Sequence, residues 1–234
     1  MPRVKQLHEW NVSYHEAVAI QNTLRKQVKC AASGRRIKTV AGADASYDKG
    51  SNRIYASVAV LDFSSLELIE QADSEADAVF PYIPGLLSFR EVPAVVKAFE
   101  GLRTRPDALI CDGQGIAHPR RFGLASHLGV LFGIPTVGCA KSRLCGDHGP
   151  VGPKQGDYAP LKVNGRTVGA VLRTRERVKP VFVSVGHLIN LRGAVTLVLH
   201  CCAGYRLPEP TRRAHHLVSA ARKERETSRS DRKR

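Results

Sequence analysis

Ala108-Leu109-Ile110-Cys111-Asp112-Gly113-Gln114-Gly115 decides the architecture. Four apolar residues without interruption read as a short buried strand, Asp112 closes it, and Gly113-Gln114-Gly115 opens a loop. Immediately upstream, Val92, Val95, Val96 and Phe99 repeat at i, i+3, i+4 and i+7, the stripe of a helix with one buried face. Before that helix, Pro81-Tyr82-Ile83-Pro84-Gly85 is a loop by composition. Further back, Ile37 to Tyr47 is β-like and runs into the turn Asp48-Lys49-Gly50-Ser51-Asn52. Ile54 to Phe63 and Leu66 to Ala72 supply two more strands, which completes an antiparallel meander.

Downstream, a helix near Phe122 to Phe132 stops at Gly133, and Pro135 restarts the chain into a strand over Thr136 to Cys139. Leu161-Lys162-Val163 and Val168 to Leu172 flank Asn164-Gly165, a hairpin signal. Val181 to Val185 reads as a further strand, with helices around Leu188 to Leu199 and Thr211 to Lys223. At the front, Ala17, Ile20, Leu24 and Val28 make a helix of Tyr14 to Val28. Meander, helix, then strand–helix–strand is the order of an α/β fold with a ribonuclease H-like mixed β-sheet flanked by helices. In that arrangement the first strand lies beside the strand that follows the first crossover helix. Asp44 sits on one and Asp112 ends the other, so the fold joins two carboxylates that are far apart in the chain.

The 234 residues suit a single catalytic domain over 1–220, followed by a basic tail at 221–234. Thirty-six Lys and Arg against 21 Asp and Glu give +15. The tail from Ala221 holds seven basic and three acidic residues, so +11 remains on the body. Such a field draws in a polyanion and holds it by counterion release. The tail is expected to be disordered and to add non-specific affinity only. No apolar run of membrane-spanning length occurs, and Met1-Pro2-Arg3-Val4-Lys5 leads into no secretory signal, so a cytoplasmic protein is expected. The six cysteines lack CxxC spacing and read as reduced thiols, several of them buried, rather than disulfides or a zinc site.

Two adjacent carboxylates repel, and a hard divalent cation relieves the repulsion. Glu91 is a third candidate. It closes Ser88-Phe89-Arg90-Glu91, which has the form of a capping box, S-x-x-E. A helix begun at Ser88 would put Pro93 past its first turn, against an earlier carbonyl. The helix is therefore expected to begin at Val92–Pro93, leaving Glu91 just outside it and free to face the site.

Several segments closely resemble the endonuclease V family. They are Val40-Ala41-Gly42-Ala43-Asp44, Pro81 through Glu91, Asp112 through Arg121, Gly138 through Leu144, and Pro208-Glu209-Pro210-Thr211-Arg212. The resemblance implies a Mg²⁺-dependent deoxyribonuclease of DNA repair, with Mn²⁺ as a possible substitute. Members hydrolyse the second phosphodiester bond 3′ to a deoxyinosine and leave 3′-hydroxyl and 5′-phosphate ends. Asp44, Glu91 and Asp112 match the metal-binding acids, and His215 matches a fourth catalytic position where many members carry Asp. Lys141, at a strand end, is expected to balance charge at the scissile phosphate or orient the water. Tyr82, between two prolines, resembles the family's wedge. Gly85, Leu87 and Gly113 suit backbone reading of the hypoxanthine edge, with Leu144 beside them. His118, Arg120, Arg121 and Arg143 are candidate phosphate or site contacts. One departure is Val185-Gly186-His187, where many relatives read Pro-Gly-His.

The motifs leave two alternatives open. The substrate is either DNA carrying deoxyinosine or another deaminated base, or else inosine in single-stranded RNA or a branched or flapped DNA, since a base-edge pocket ignores the sugar. A non-catalytic binder of deaminated nucleic acid is the other, and it would predict a damaged acid set where Asp44, Glu91 and Asp112 all stand. A monomer with no membrane partner is expected.

Overall fold

The computed structural model describes residues 2–31, 34, 36–48 and 51–231, with side chains to 225. Lys49 and Gly50, the centre of the expected first hairpin turn, lie outside the described residues. One mixed sheet organises the chain. Strands β1 (Thr39–Tyr47), β2 (Arg53–Asp62) and β3 (Leu68–Asp77) form the antiparallel meander. Strand β4 (Ala108–Cys111) then returns parallel to β1, and β5 (Thr136–Ala140) parallel to β4. Antiparallel β6 (Tyr158–Val163), β7 (Arg166–Leu172) and β8 (Val181–His187) complete the order β3-β2-β1-β4-β5-β8-β7-β6. This is the expected ribonuclease H-like mixed sheet.

Helices cover both faces because neighbouring strand residues point to opposite sides. On β1, Val40 belongs to one core with Ile110, Val137 and helix α4 (Leu191–His200), while Ala41 and Ala43 belong to the other. That second core is filled by helices α2 (Leu87–Glu100) and α3 (Leu124–Phe132), whose Phe99 and Phe132 stack at 3.8 Å. Helix α1 (Tyr14–Leu24) and a short 3₁₀ turn (Arg25–Gln27) pack at one end. Asn164 and Gly165, at φ 48° and 75°, make the two-residue hairpin turn that Asn-Gly forecasts.

Three expectations need correction. Helix α2 starts at Leu87 rather than at Val92–Pro93, so Pro93 and Glu91 lie inside it. Pro93 removes only one backbone donor near the helix start, and burial of Phe89, Val92, Val95 and Phe99 outweighs that loss. The third strand begins at Leu68, because Leu66 turns left-handed (φ 59°) where Asp62 Oδ1 accepts the Ser64 and Ser65 amides. Helix α5 (Glu209–Asp231) passes Ala221, where composition forecasts disorder. Ala, Arg, Lys and Glu are strong helix formers, and Arg225 pairs with Glu75 on β3 at 3.3 Å.

Candidate active site

The site lies at the carboxyl ends of β1 and β4. Their register pairs Ala43 with Cys111, so the next step along each strand is Asp44 and Asp112. Helix α5 reaches this edge because β1 has no side chain at position 42. A Cβ on Gly42 would stand 2.0 Å from the Pro210 carbonyl oxygen. That close crossing brings His215 Nδ1 to within 2.7 Å of Asp44 Oδ2. From the strand after α3, Lys141 Nζ donates to Asp112 Oδ2. Glu91 enters from α2, only 8% exposed.

The electrostatics follow from that crowding. Burial, joined by the Asp44 and Asp112 charges, pushes Glu91 up to about 8, with Arg90 pulling the other way. Burial also raises Asp44, and the His215 hydrogen bond opposes it. A cluster whose most buried acid is driven that high fits a hard divalent cation, which takes carboxylate oxygens and keeps waters and phosphate oxygens in its remaining positions. Among the described residues, no three His, Cys, Asp or Glu side chains close a metal shell by themselves. Asp44 and Asp112 each spend one oxygen on His215 and Lys141. The donors fit the ion chemically as a charge cluster, without forming a finished cage.

A cavity of about 380 Å³ opens beside Asp112 and Lys141. Tyr82, Gly85, Leu87, Gly113, His118, Arg143 and Leu144, all candidates from sequence, line it. Tyr82 is 63% exposed at the rim. Ile83-Pro84-Gly85-Leu86 is a tight turn closed by the Leu86 amide on the Ile83 carbonyl at 2.9 Å, with Gly85 at φ +79°. The Gly85 carbonyl is then clamped by Gln21 Nε2 at 3.0 Å, His118 Nε2 at 3.0 Å and Arg120 Nη2 at 2.7 Å.

Some candidates take other roles in this arrangement. His118 donates to Gly85 and its Nδ1 accepts the Arg120 amide at 3.2 Å, while burial lowers it to about 4. It is a neutral pocket wall, unsuited to pairing with phosphate as a cation. Arg120 donates from Nε to Gln21 and from Nη2 to Gly85, and exposed Arg121 lies outside the pocket lining at φ 56°. Arg143 reaches Asp147 at 2.9 Å. His187 pairs with Thr136 at the opposite end of β5 from Lys141, and its Nδ1 accepts the Lys29 amide at 3.2 Å. It lines no part of that cavity.

Sequence reading missed Gln21, Ser88, Gln114 and Ser142 in the lining. Gln21 did leave a signal: it is a polar residue between Ala17 and Leu24 on the buried face of α1, 1% exposed. Gln114 Nε2 donates to the Ser142 carbonyl at 3.0 Å, tying the loop after β4 to the loop after β5.

The endonuclease V family model matches residues 22–216. The chain belongs to the endonuclease V family. Endonuclease V of Dehalococcoides mccartyi (strain CBDB1) is 48% identical over 91% of this chain and 96% of its own. The crystal structure of endonuclease V from Streptomyces avermitilis superposes with a TM-score of 0.89 at 42% identity, covering 96% and 98% of the two chains. Ciona intestinalis endonuclease V, solved with a 24mer DNA containing an inosine followed by a ribo-adenosine, matches at TM-score 0.80 and 26% identity over 90% and 97%. As a member of that family the chain is a nuclease acting on DNA, and among its described residues no helix is long and apolar enough to cross a membrane.

Proposed function

We propose that this protein is a Mg²⁺-dependent repair hydrolase, with Mn²⁺ as a substitute. It recognises deoxyinosine in DNA and hydrolyses the second phosphodiester bond on its 3′ side, leaving 3′-hydroxyl and 5′-phosphate ends. The observation that carries the reading is the cavity of about 380 Å³, roomy enough for a base, whose wall includes Asp112 and Lys141 at one end. Recognition and scission thereby occupy neighbouring places.

A base must leave the stack to enter, at a cost of a few kcal/mol, smaller for a weak inosine pair. Tyr82, stiffened by Pro81 and Pro84 and exposed at the rim, fills the gap and returns about 1–3 kcal/mol of stacking. Leu87 and the clamped Gly85 turn form the wall against which the base edge is read. Asp44, Glu91 and Asp112 would hold the cation, with His215 fixing Asp44. A divalent cation held there would supply Lewis-acid chemistry, lowering the pKa of water and offsetting charge at the scissile phosphate and the departing oxygen. Lys141, already on Asp112, sets a positive charge where the phosphate's negative charge grows. The reading includes a single catalytic domain, a monomer, and a cytoplasmic location.

Inosine in RNA is the second reading, favoured by one observation. The Ciona relative was solved on a strand whose inosine is followed by a ribonucleotide. The test is cleavage of end-labelled strands with Mg²⁺: one deoxyinosine, the matched adenosine, and an inosine RNA, with Asp44→Asn alongside. A single nick one nucleotide beyond deoxyinosine, lost in Asp44→Asn, supports the proposal. A cut confined to RNA moves the substrate, and silence on all strands overturns the proposal.

A further inference from the structure

Behind the base cavity a chain of hydrogen bonds runs from the surface to Ser88. His8 Nδ1 lies 2.8 Å from the Glu9 carbonyl oxygen. A carbonyl only accepts, so Nδ1 carries the hydrogen, and a neutral His8 leaves Nε2 as an acceptor. His8 Nε2 lies 2.7 Å from His127 Nε2, so His127 donates there. His127 is fully buried among Trp10, Phe89 and Phe122, and burial holds it well below the usual histidine range. A neutral His127 with its hydrogen on Nε2 has only a lone pair on Nδ1. Ser88 Oγ, 3.1 Å away, must therefore donate its one hydrogen to His127. Each link leaves one polarity for the next.

The consequence appears at the pocket, which Ser88 lines while only 3% exposed. With its hydrogen committed, Oγ has lone pairs alone to offer a ligand. The same residue sits in the first turn of α2, whose N-cap Leu86 makes no side-chain cap. Among the described residues, the Leu87 and Ser88 amides have no backbone partner. Donors and an obligate acceptor thus stand side by side. That pattern complements a lactam edge, which offers a carbonyl oxygen and then an N–H. Adenine offers an amine and then a bare nitrogen, the opposite order. A second buried acceptor, Gln114 Oε1, also has no partner within the protein, and Gln114 lines the same cavity. Its neighbour Nε2 must face the Ser142 carbonyl, which fixes the amide's orientation.

We infer that Ser88 is a specificity-determining residue that accepts the lactam N–H of a flipped hypoxanthine, and that His127 and His8 are positioning residues that hold its hydroxyl in the acceptor sense. The inference rests on the inosine reading given above. Its test compares binding of strands carrying hypoxanthine, adenine or 6-methoxypurine, with Ca²⁺ in place of the catalytic ion. 6-Methoxypurine keeps an oxygen at position 6 but has a bare N1. Wild type preferring hypoxanthine over adenine upholds the inosine reading, and equal binding overturns that reading itself. Given that preference, Ser88→Ala is expected to reduce the hypoxanthine-over-methoxypurine ratio about tenfold. His8→Phe, which removes the acceptor for His127, lowers the ratio in the same direction. A purely structural role would weaken both strands alike and leave the ratio unchanged, which refutes the inference. Nitrogen-15 NMR of the intact wild-type protein checks the polarity without any variant. Hydrogen on His8 Nδ1 and His127 Nε2 is expected, and hydrogen on His127 Nδ1 would overturn the relay.

Discussion

Two helices of this molecule carry Ser-x-x-Glu near their starts, and they use it in opposite ways. At α1, Ser13 is the N-cap: its Oγ accepts the Glu16 amide at 3.3 Å, and the Glu16 carboxylate accepts the Ser13 amide at 2.8 Å. Both groups are exposed, and the Ser13 hydrogen bonds draw Glu16 below its ordinary value. At α2, the N-cap falls on Leu86, so Ser88 and Glu91 are already helical. Ser88 turns to His127, and Glu91 is buried against Asp44 and Asp112 and pushed up to about 8. The three-residue spacing sets only which side chains lie near each other. Whether they cap a helix or build a site depends on where the helix starts and what packs on it.

The largest expected difference between the two regions is in catalysis. Asp112→Asn, in the acid cluster, should slow cleavage of a deoxyinosine strand by about a hundredfold or more. The double variant Ser13→Ala, Glu16→Ala should cleave at the wild-type rate per folded molecule. A comparable loss from the α1 variant would erase the distinction.

Stability against pH separates them next. Glu91 sits at about 8 folded against 4.5 as its ordinary value, so the folded state holds its proton more tightly. Its contribution is fully present below pH 4.5 and is lost as pH rises towards 8, on the order of a few kcal/mol. Glu16, lowered, runs the other way: its contribution is present above 4.5 and lost as pH falls. Urea unfolding of the metal-free protein from pH 5 to 8 should show the first trend and lose it in Glu91→Gln. Because ligands must be ionised to bind, added Mg²⁺ should raise the melting temperature more at pH 8 than at pH 5. An equal rise at both pH values would detach Glu91 from the ion.

The smallest effect belongs to the cap. Ser13→Ala should cost about 1 kcal/mol, read as a fall of about 2–4 °C in melting temperature, with cleavage unchanged.

The fold was legible because its signals are local and repeated. The apolar run Ala108–Cys111, the stripe Val92 to Phe99 and the Asn164-Gly165 turn each named their element. Parallel pairing of β1 with β4 then joined Asp44 to Asp112 across 68 residues of chain. What the chain hid was relational. Pro93 argued for a late helix start, and only the packing of Phe89 and Val92 overrules it. Arg120 looks like any phosphate-binding arginine until its partners, Gln21 and Gly85, are known. The polarity of Ser88 depends on His8, 80 residues earlier, which no spacing rule connects to it.

The most direct measurement places Glu16→Gln and Glu91→Gln side by side, reading metal-free melting at pH 8 and cleavage of a deoxyinosine strand with Mg²⁺. If Glu91 is a site acid held at the expense of stability, Glu91→Gln melts above wild type and cleaves about a hundredfold slower or worse. Glu16→Gln should melt lower and cleave normally. A Glu91→Gln protein that melts lower yet cleaves at the wild-type rate would contradict the account, because Glu91 would then be a structural acid like Glu16.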